Sequence, residues 1–231
     1  MRRQITRLLK SLLFTNCNNA SKEDAKSENI LPDKVDSTKI AEPDEEIITK
    51  TKYLKDFLLE PINLIDFKSK YGPSNSGGCC SGNPKEWMYK PEKEGFYYQY
   101  MLFRKLNEMQ LANGKVMNET EQFRKFQIYV YHFGKNKEFD FFSDNEVLIG
   151  FSCAGIHEAL GRANIVGKSF QEIEELFGNE FIDCDSIKIY QHDNRVISLK
   201  FKSSKVEWIK YFHQSSRVEK EKIPEHLIRF N

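Results

Sequence analysis

The chain has 231 residues, enough for one domain or two small ones with a sizeable core. Its 35 basic residues nearly balance its 34 acidic residues, which argues against a strongly basic nucleic-acid-binding protein. Aromatic residues make up 13% of the chain and the mean hydropathy is -0.61, a composition typical of a soluble protein rich in β-sheet. No run approaches the roughly 18 apolar residues that a membrane span requires.

Residues 1–17 combine a basic start with a short apolar stretch. Three arginines occur within the first seven residues, residues 12–14 are apolar, and Cys17 follows at the place where a lipoprotein signal would end. This pattern favours a lipid-anchored protein of a bacterial cell envelope, with Cys17 as the lipidated residue. Lys10 interrupts the apolar stretch, so the alternative is a short basic amphipathic helix on a cytosolic protein.

The next segment, residues 18–52, is rich in Lys, Asp, Glu, Ser and Asn and poor in apolar residues. Such a segment buries too little apolar surface to fold alone, so the sequence predicts a disordered polar tether. A tether between a lipid anchor and a folded domain would have this composition.

Residues 53–151 are predicted to form a first α+β unit. Asn63 is an N-cap type, and the helix that it opens is expected to end at Gly72. Strands are expected at residues 127–131, around Phe139 and Phe141, and from residue 142. Residues 85–126 form an insertion rich in aromatic side chains. It either covers an open part of the sheet or forms a binding surface.

The cysteines leave the redox state open. Cys79 and Cys80 are adjacent in a loop rich in Gly and Ser, and a bridge between neighbours is strained. In an oxidising compartment they can pair with Cys153 or Cys184, whereas in a reducing one they are exposed thiols. Five cysteines less a lipidated Cys17 leave four, a number compatible with two bridges and with export.

Residues 152–213 are predicted to form a second unit. Ser169 and Glu172 have the spacing of a capping box, and Gly178 marks the end of the helix. Apolar residues then alternate with polar ones from residue 187 to 201, with a hairpin turn at residues 192–194. A second turn at residues 203–204 leads to a third strand.

Both units therefore have the order helix, strand, strand, strand. Residues 127–131 align with 186–190, and residues 142–147 align with 201–206. The predicted fold is α+β, with two tandem units that form one curved antiparallel sheet and helices on one face. The tail, residues 214–231, alternates in charge and is expected to pack weakly or fray.

The helix GKSFQEIEELFG, followed by a hairpin and FKSSKV, resembles the small outer-membrane-assembly lipoproteins of the SmpA/OmlA (BamE-like) type. A doubled unit is similar to the β-lactamase inhibitory protein type. The resemblance covers about 45 residues well and consists of caps and apolar positions. It implies the fold and a habit of binding other proteins, and it implies no catalytic residue.

Two enzymatic alternatives involve cysteine and histidine. Cys153, His157, Cys184 and His192 are potential metal ligands, but they lack the compact spacing of a zinc site. Cys153 and His192 are also a possible nucleophile and base, with Asp193 as the group that orients the base. Cys153 lies in an apolar run, where a buried structural cysteine is the usual case. No catalytic residue, metal or cofactor is therefore predicted.

Strand alternation predicts an open face on the sheet. Residues 187, 189, 197, 199, 201 and 208 are expected to pack against the helix, so their neighbours point away from it. A face that is half aromatic and half basic is typical of a protein-binding surface. Its predicted members are Tyr129, Tyr131, Lys188, Tyr190, Lys200, Tyr211, Trp87 and Tyr98.

The predicted function is non-enzymatic binding of another protein at the cell envelope, without nucleic acid. The alternative is a cytosolic immunity or inhibitor-type protein, and an enzyme using Cys153 or His192 is a further possibility.

Overall fold

The structure is a computed structural model that describes residues 45–71, 85–100, 109–135 and 143–230. The predictions for Cys17, for Cys79 and Cys80, for the strand around Phe139 and Phe141, and for the tether before residue 45 lie outside the described residues.

The described chain folds as an α+β protein, as predicted. The helices are α1 (Glu45–Leu59), α2 (Leu64–Tyr71), α3 (Glu119–Lys125), α4 (Phe170–Phe177) and α5 (Glu225–Ile228), with a 3₁₀ helix at Glu158–Ala163. The strands are β1 (Gly95–Tyr100), β2 (Gln110–Leu111), β3 (Phe126–Phe133), β4 (Glu146–Cys153), β5 (Gly155–Ile156), β6 (Ile182–Cys184), β7 (Ile187–His192), β8 (Arg195–Lys202) and β9 (Lys205–His213). Seven strands form one antiparallel sheet in the order β1-β3-β4-β9-β8-β7-β6, and β2 pairs with β5.

Local sequence signals place α4 and its hairpins as predicted. The Ser169 hydroxyl accepts a hydrogen bond from the Glu172 backbone N–H, and the Glu172 carboxylate accepts one from the Ser169 backbone N–H at 2.7 Å. Gly178 ends the helix with φ of 80°. Ser203 and Ser204 both have positive φ, at 50° and 60°, which is the conformation of the tight turns that match strand twist.

The sheet has a symmetric strand order about its centre, but the predicted alignment of the two units is wrong. β3 pairs directly with β4, so it occupies the position that β8 has beside β9. The strand that corresponds to β7 is β1, which lies inside the predicted insertion. The two halves read alike in sequence because every strand carries the same alternation, and alternation does not say which strands are neighbours.

Helices α1, α2 and α4 cover one side of the sheet, which we call the helix face. Leu54, Phe57 and Leu58 of α1 are buried there, and the ring centroids of Phe57 and Phe177 are 4.9 Å apart. α2 is held by its Lys68 ammonium, which donates to the buried Glu146 carboxylate at 3.1 Å. The same carboxylate accepts a hydrogen bond from the Tyr100 hydroxyl and lies 3.4 Å from the His132 ring nitrogen.

The predicted orientation of β7 is wrong. Ile187 and Ile189 lie on the side away from the helices, whereas Tyr190 contacts Phe177 with ring centroids 5.4 Å apart. Both sides of β7 carry apolar side chains, so alternation alone does not decide which side meets the helix. In β8 the prediction is confirmed, because Ile197 and Leu199 are buried on the helix face.

β9 also departs from the predicted orientation at Trp208. The register shifts opposite Lys200 and Phe201, so Val206 faces the helices while Trp208 faces away. This bulge reverses the expected sides for the rest of the strand, and Ile209 and Tyr211 become core residues.

The predicted tether extends too far, because residues 45–52 are the first half of α1. Little of this half is apolar, and most of its described side chains are exposed. The segment forms helix because it continues into Leu54, Phe57 and Leu58, which pack on the sheet. Composition over a window cannot detect this tertiary support.

The tail packs firmly on the sheet, contrary to the prediction that it packs weakly or frays. We call the side that it covers the tail face. Leu227 and Val218 are buried there together with Ile187, Ile189, Val196 and Phe212. The Ser198 hydroxyl donates to the Leu227 carbonyl at 2.6 Å, and the Lys210 ammonium donates to the His226 and Arg229 carbonyls. The sheet is therefore buried on both sides over its second half.

Leu227→Ala should destabilise the protein by about 2–5 kcal/mol, because it removes a fully buried side chain and leaves a cavity. Ile228→Ala is the matched control, since the Ile228 side chain is 38% exposed and its truncation should change stability within about 0.5 kcal/mol. Urea unfolding of both variants measures the difference. Equal, small effects would show that the tail does not pack on the sheet.

Candidate functional site

The structure divides the predicted binding residues between the two faces of the sheet. Lys188, Tyr190, Tyr211 and Tyr98 lie on the helix face, while Tyr129, Tyr131 and Lys200 lie on the tail face. The predicted single open face is therefore wrong. The prediction fails because side chains of β7 and β9 lie on the opposite sides of the sheet from those expected.

The predicted residues on the helix face are structural. Tyr211 is buried, and its hydroxyl donates to the Leu58 carbonyl at 3.0 Å. Tyr190 is fully buried, and burial is the main cause that raises the pKa of its hydroxyl. Lys188 pairs with Asp183 at 2.6 Å and lies over the Phe181 ring. Tyr190 and Tyr211 are therefore closed to a partner, and the half-buried Lys188 is already paired within the chain.

Two further members are occupied by contacts within the chain. Trp87 stacks on His226 of the tail, with ring centroids 4.2 Å apart, and meets the edge of Phe212. Tyr131 is buried and donates from its hydroxyl to the Lys93 carbonyl at 3.0 Å. These contacts anchor the tail and the segment around Trp87.

Tyr129 and Lys200 remain half-buried on the tail face, beyond the region that the tail covers. The Tyr129 hydroxyl donates to the Gln127 side chain at 2.9 Å, and Gln127 pairs with Ser152 on β4. Ser152 in turn accepts a hydrogen bond from the Trp208 indole at 2.8 Å. This row of contacts leads from Tyr129 to a depression around Trp208.

We call this depression the lysine–tryptophan hollow. Its volume is about 420 Å³, within the range of ligand pockets in proteins. The ends of β8 and β9 and their turn form one wall, and the loop after β2 and the junction of α3 with β3 form the other. Its walls include Leu111, Lys125, Ala154, Lys200, Lys202, Lys205, Glu207 and Trp208.

The hollow is strongly basic. Four lysines line it and Glu207 is the single carboxylate among the described lining residues. Glu207 is shared between Lys200 at 3.3 Å and Lys202 at 3.5 Å. Lys125 and Lys205 form no ion pair with any residue that the structure describes. The net positive charge favours an anionic ligand or an acidic protein segment.

Trp208 is held rigidly in this setting. Its indole N–H donates to Ser152, and its ring packs against Phe230 at the end of the tail with centroids 6.1 Å apart. The side chain is half-buried, so part of the ring faces the hollow. A fixed, partly exposed tryptophan is the type of anchor that protein interfaces favour.

The cysteine and histidine residues do not assemble into a site. Cys153 is fully buried, burial raises the pKa of its thiol to about 12, and its sulfur contacts Gly155. Cys153 lies in the same cross-strand row as Lys188 of β7. His192 lies four residues beyond Lys188 on that strand, which separates it from the row by roughly 13 Å at about 3.3 Å per residue. The His157 ring accepts the Ala159 backbone N–H and caps the 3₁₀ helix. The pairing of Cys153 with His192 is therefore wrong.

Among the described residues, Cys153 and Cys184 carry free thiols. No cluster of three or more potential metal ligands occurs in the described part of the chain. No helix in these ranges is both long and apolar enough to cross a lipid bilayer.

Sequence reasoning found Lys200 and missed the rest of the hollow. Lys125, Lys202 and Lys205 are distant in sequence or lie in a turn, and each alone reads as an ordinary surface lysine. Strand alternation predicts that Trp208 belongs to the core, because alternation does not reveal the bulge opposite Lys200. The segment FKSSKVEW, residues 201–208, places two lysines and a tryptophan around a tight turn. This local pattern is the signal in the sequence that points to the hollow.

No known family model, curated protein or solved structure matches this chain, so the resemblance to the SmpA/OmlA lipoproteins stays a prediction.

Tyr190→Phe and Tyr211→Phe form a matched pair of variants that tests these assignments. Tyr211→Phe should cost about 1 kcal/mol, because the Leu58 carbonyl loses its buried hydrogen-bond donor. Tyr190→Phe should leave stability unchanged or raise it, because its hydroxyl is buried with no partner among the described residues. Chemical denaturation gives both values. A loss for Tyr190→Phe as large as that for Tyr211→Phe would contradict the assignment.

Proposed function

We propose that this chain is a non-enzymatic protein that binds an acidic segment of another protein in the lysine–tryptophan hollow. The observation that carries the proposal is a rigid, partly exposed Trp208 surrounded by four lysines and one carboxylate. Aromatic and basic side chains together would recognise the partner, as the sequence predicts. They would do so at the partly open end of the tail face, and not on the single face expected from strand alternation.

The two kinds of side chain have different roles in this binding. The lysines raise the rate of encounter with an acidic partner and select against basic ones. Trp208 and the neighbouring Leu111 provide apolar contact area for one aromatic or aliphatic side chain of the partner. Because Lys200 and Trp208 are opposite each other on paired strands, their separation is fixed before binding.

We also propose that the protein acts at the bacterial cell envelope through a lipid on Cys17. The basic and apolar start of the chain and the polar segment after it support this location. A cytosolic immunity or inhibitor-type protein would use the same hollow without an anchor.

The binding proposal is tested with the full chain carrying Trp87→Phe, which leaves Trp208 as its single tryptophan. A synthetic peptide of Asp and Glu with one central Phe should change Trp208 emission in a saturable way. Lys202→Glu combined with Lys205→Glu should weaken this binding at least tenfold, because both reversals place negative charge at the hollow.

The matched control reverses two exposed lysines outside the hollow, Lys52→Glu with Lys55→Glu on α1. It changes the net charge equally and should leave the emission titration unchanged. Equal weakening by both pairs, or an absence of saturable binding, would contradict the proposal.

Location is tested separately by mass spectrometry of the mature N-terminus in the native host. The expected result is a chain that begins at a diacylated Cys17. An intact N-terminus in the soluble fraction would instead support the cytosolic alternative and would leave the binding proposal untouched.

A further inference from the structure

A second depression lies on the helix face, on the other side of the sheet from the hollow. It runs between α1 and α4 and has a volume of about 720 Å³. The hairpin turn between β7 and β8 and Arg217 close one end of it. We call it the acidic groove, and it is distinct from the proposed binding site.

The shape of the groove suits a helix. α1 lines it with Glu46, Ile47, Lys50, Thr51 and Leu54, whose spacing of three and four residues places them on one side of that helix. α4 lines the opposite wall from residue 171 to 178, with the same spacing. Two helical walls with an apolar floor form the type of groove that receives an amphipathic helix.

The floor of the groove is apolar and partly open. Leu54 and Phe177 are buried at its base, and Ile47 at its rim is 53% exposed. Apolar side chains of a partner helix would find a complementary surface here.

The walls of the groove are strongly acidic. Its lining contains five carboxylates against two full cations, Lys50 and Arg217. Lys50 is already paired with Glu46 at 2.6 Å. The charge that remains is therefore negative, opposite in sign to the charge of the hollow. The carboxylates belong to Glu46, Glu174, Glu175, Glu180 and Asp193.

Two of these carboxylates lie where they oppose the stability of their own helix. Glu174 and Glu175 occur in the last turn of α4, next to the negative end of the helix dipole, and that turn has no basic residue. Acidic side chains at this end are unfavourable, whereas cationic ones are favourable. The charge of Lys50 on α1 interacts with both carboxylates, but this lysine is already paired with Glu46.

A buried hydroxyl near the groove also lacks a hydrogen-bond partner in the part of the chain that the structure describes. The Tyr190 ring packs directly under Phe177, with centroids 5.4 Å apart, and its hydroxyl makes no hydrogen bond to any described residue. Glu174 lies close enough to contribute to the raised pKa of this hydroxyl, so the atom is near the acidic wall.

We propose that the acidic groove binds a basic amphipathic helix of a partner protein. Its apolar side would contact Ile47, Leu54 and Phe177, and its lysines or arginines would pair with Glu174 and Glu175. The charge of the groove excludes the acidic segment assigned to the hollow. The protein would thus hold two different partners on opposite faces of its sheet.

The test uses the full chain and a synthetic peptide of about 15 residues, roughly four helical turns, with leucines on one side and lysines on the other. The expected result is saturable binding by calorimetry, with the peptide becoming helical by circular dichroism. Glu174→Lys combined with Glu175→Lys should weaken it at least tenfold. Lysines suit the end of α4, but the change removes the attraction of Glu174 and Glu175 for Lys50 of α1, so the melting temperature of the same variant is measured beside its peptide affinity. Loss of binding is thereby separated from loss of folding.

Two matched controls accompany this variant. Glu92→Lys with Glu94→Lys reverses two exposed carboxylates outside the groove and should leave peptide affinity unchanged. A peptide of the same composition, scrambled so that its leucines are spread around the helix, should bind at least tenfold more weakly.

Three results would overturn the proposal. The first is no saturable binding of the amphipathic peptide up to about 1 mM. The second is equal binding of the scrambled peptide, which would indicate charge attraction alone. The third is self-association of the full chain that the double lysine variant abolishes, which would identify a second copy as the occupant.

Discussion

The fold depends on the short pairing between β4 and β9. Gly150–Cys153 and Ile209–Phe212 are the segments that join the two halves of the sheet. Without this ladder each half would expose an unpaired strand edge. The core crosses the same junction, since the rings of Phe151 and Tyr211 stack with centroids 5.7 Å apart and the Tyr211 hydroxyl binds the Leu58 carbonyl. Gly150 is required here, because a Cβ atom at its position would lie 2.6 Å from the Phe212 ring.

The tail makes the second half of the sheet a layer that is buried on both sides. Its apolar contacts with Phe212 and Trp87 are close, but its polar groups are incompletely satisfied. The His226 ring nitrogen of the tail and the His213 ring nitrogen at the end of β9 are buried without a partner among the described residues, and burial lowers the pKa of both side chains to about 4. Apolar packing and the hydrogen bonds from Ser198 and Lys210 therefore hold the tail, and His226 is buried there in its neutral form. Near Trp208 the tail face stays partly open among the described residues.

A near-zero net charge conceals two strongly charged surfaces. The lysines of the hollow and the carboxylates of the groove are distributed over opposite faces of one sheet. Each surface combines its charge with an apolar element, Trp208 in the hollow and Ile47 with Phe177 in the groove. This arrangement allows each surface to reject the partner of the other through like-charge repulsion. The composition of the chain, which averages over both surfaces, gives no sign of it.

Signals that act within a few residues were readable from the sequence. The capping box at Ser169, the end of α4 at Gly178 and the turn at Ser203 and Ser204 are determined by local hydrogen bonds and backbone conformation. The α+β class and the strands of the second half follow from alternation in the same way. What alternation cannot supply is the identity of the neighbouring strand, or which side of a two-sided apolar strand meets a helix. These two features of the fold determine that β1 joins the sheet, that Tyr190 packs against α4, and that Trp208 faces away from the helices. Tertiary contacts determine both features. The free energy of burying one apolar side of a strand against α4 or against the tail depends on segments that are far away in the chain.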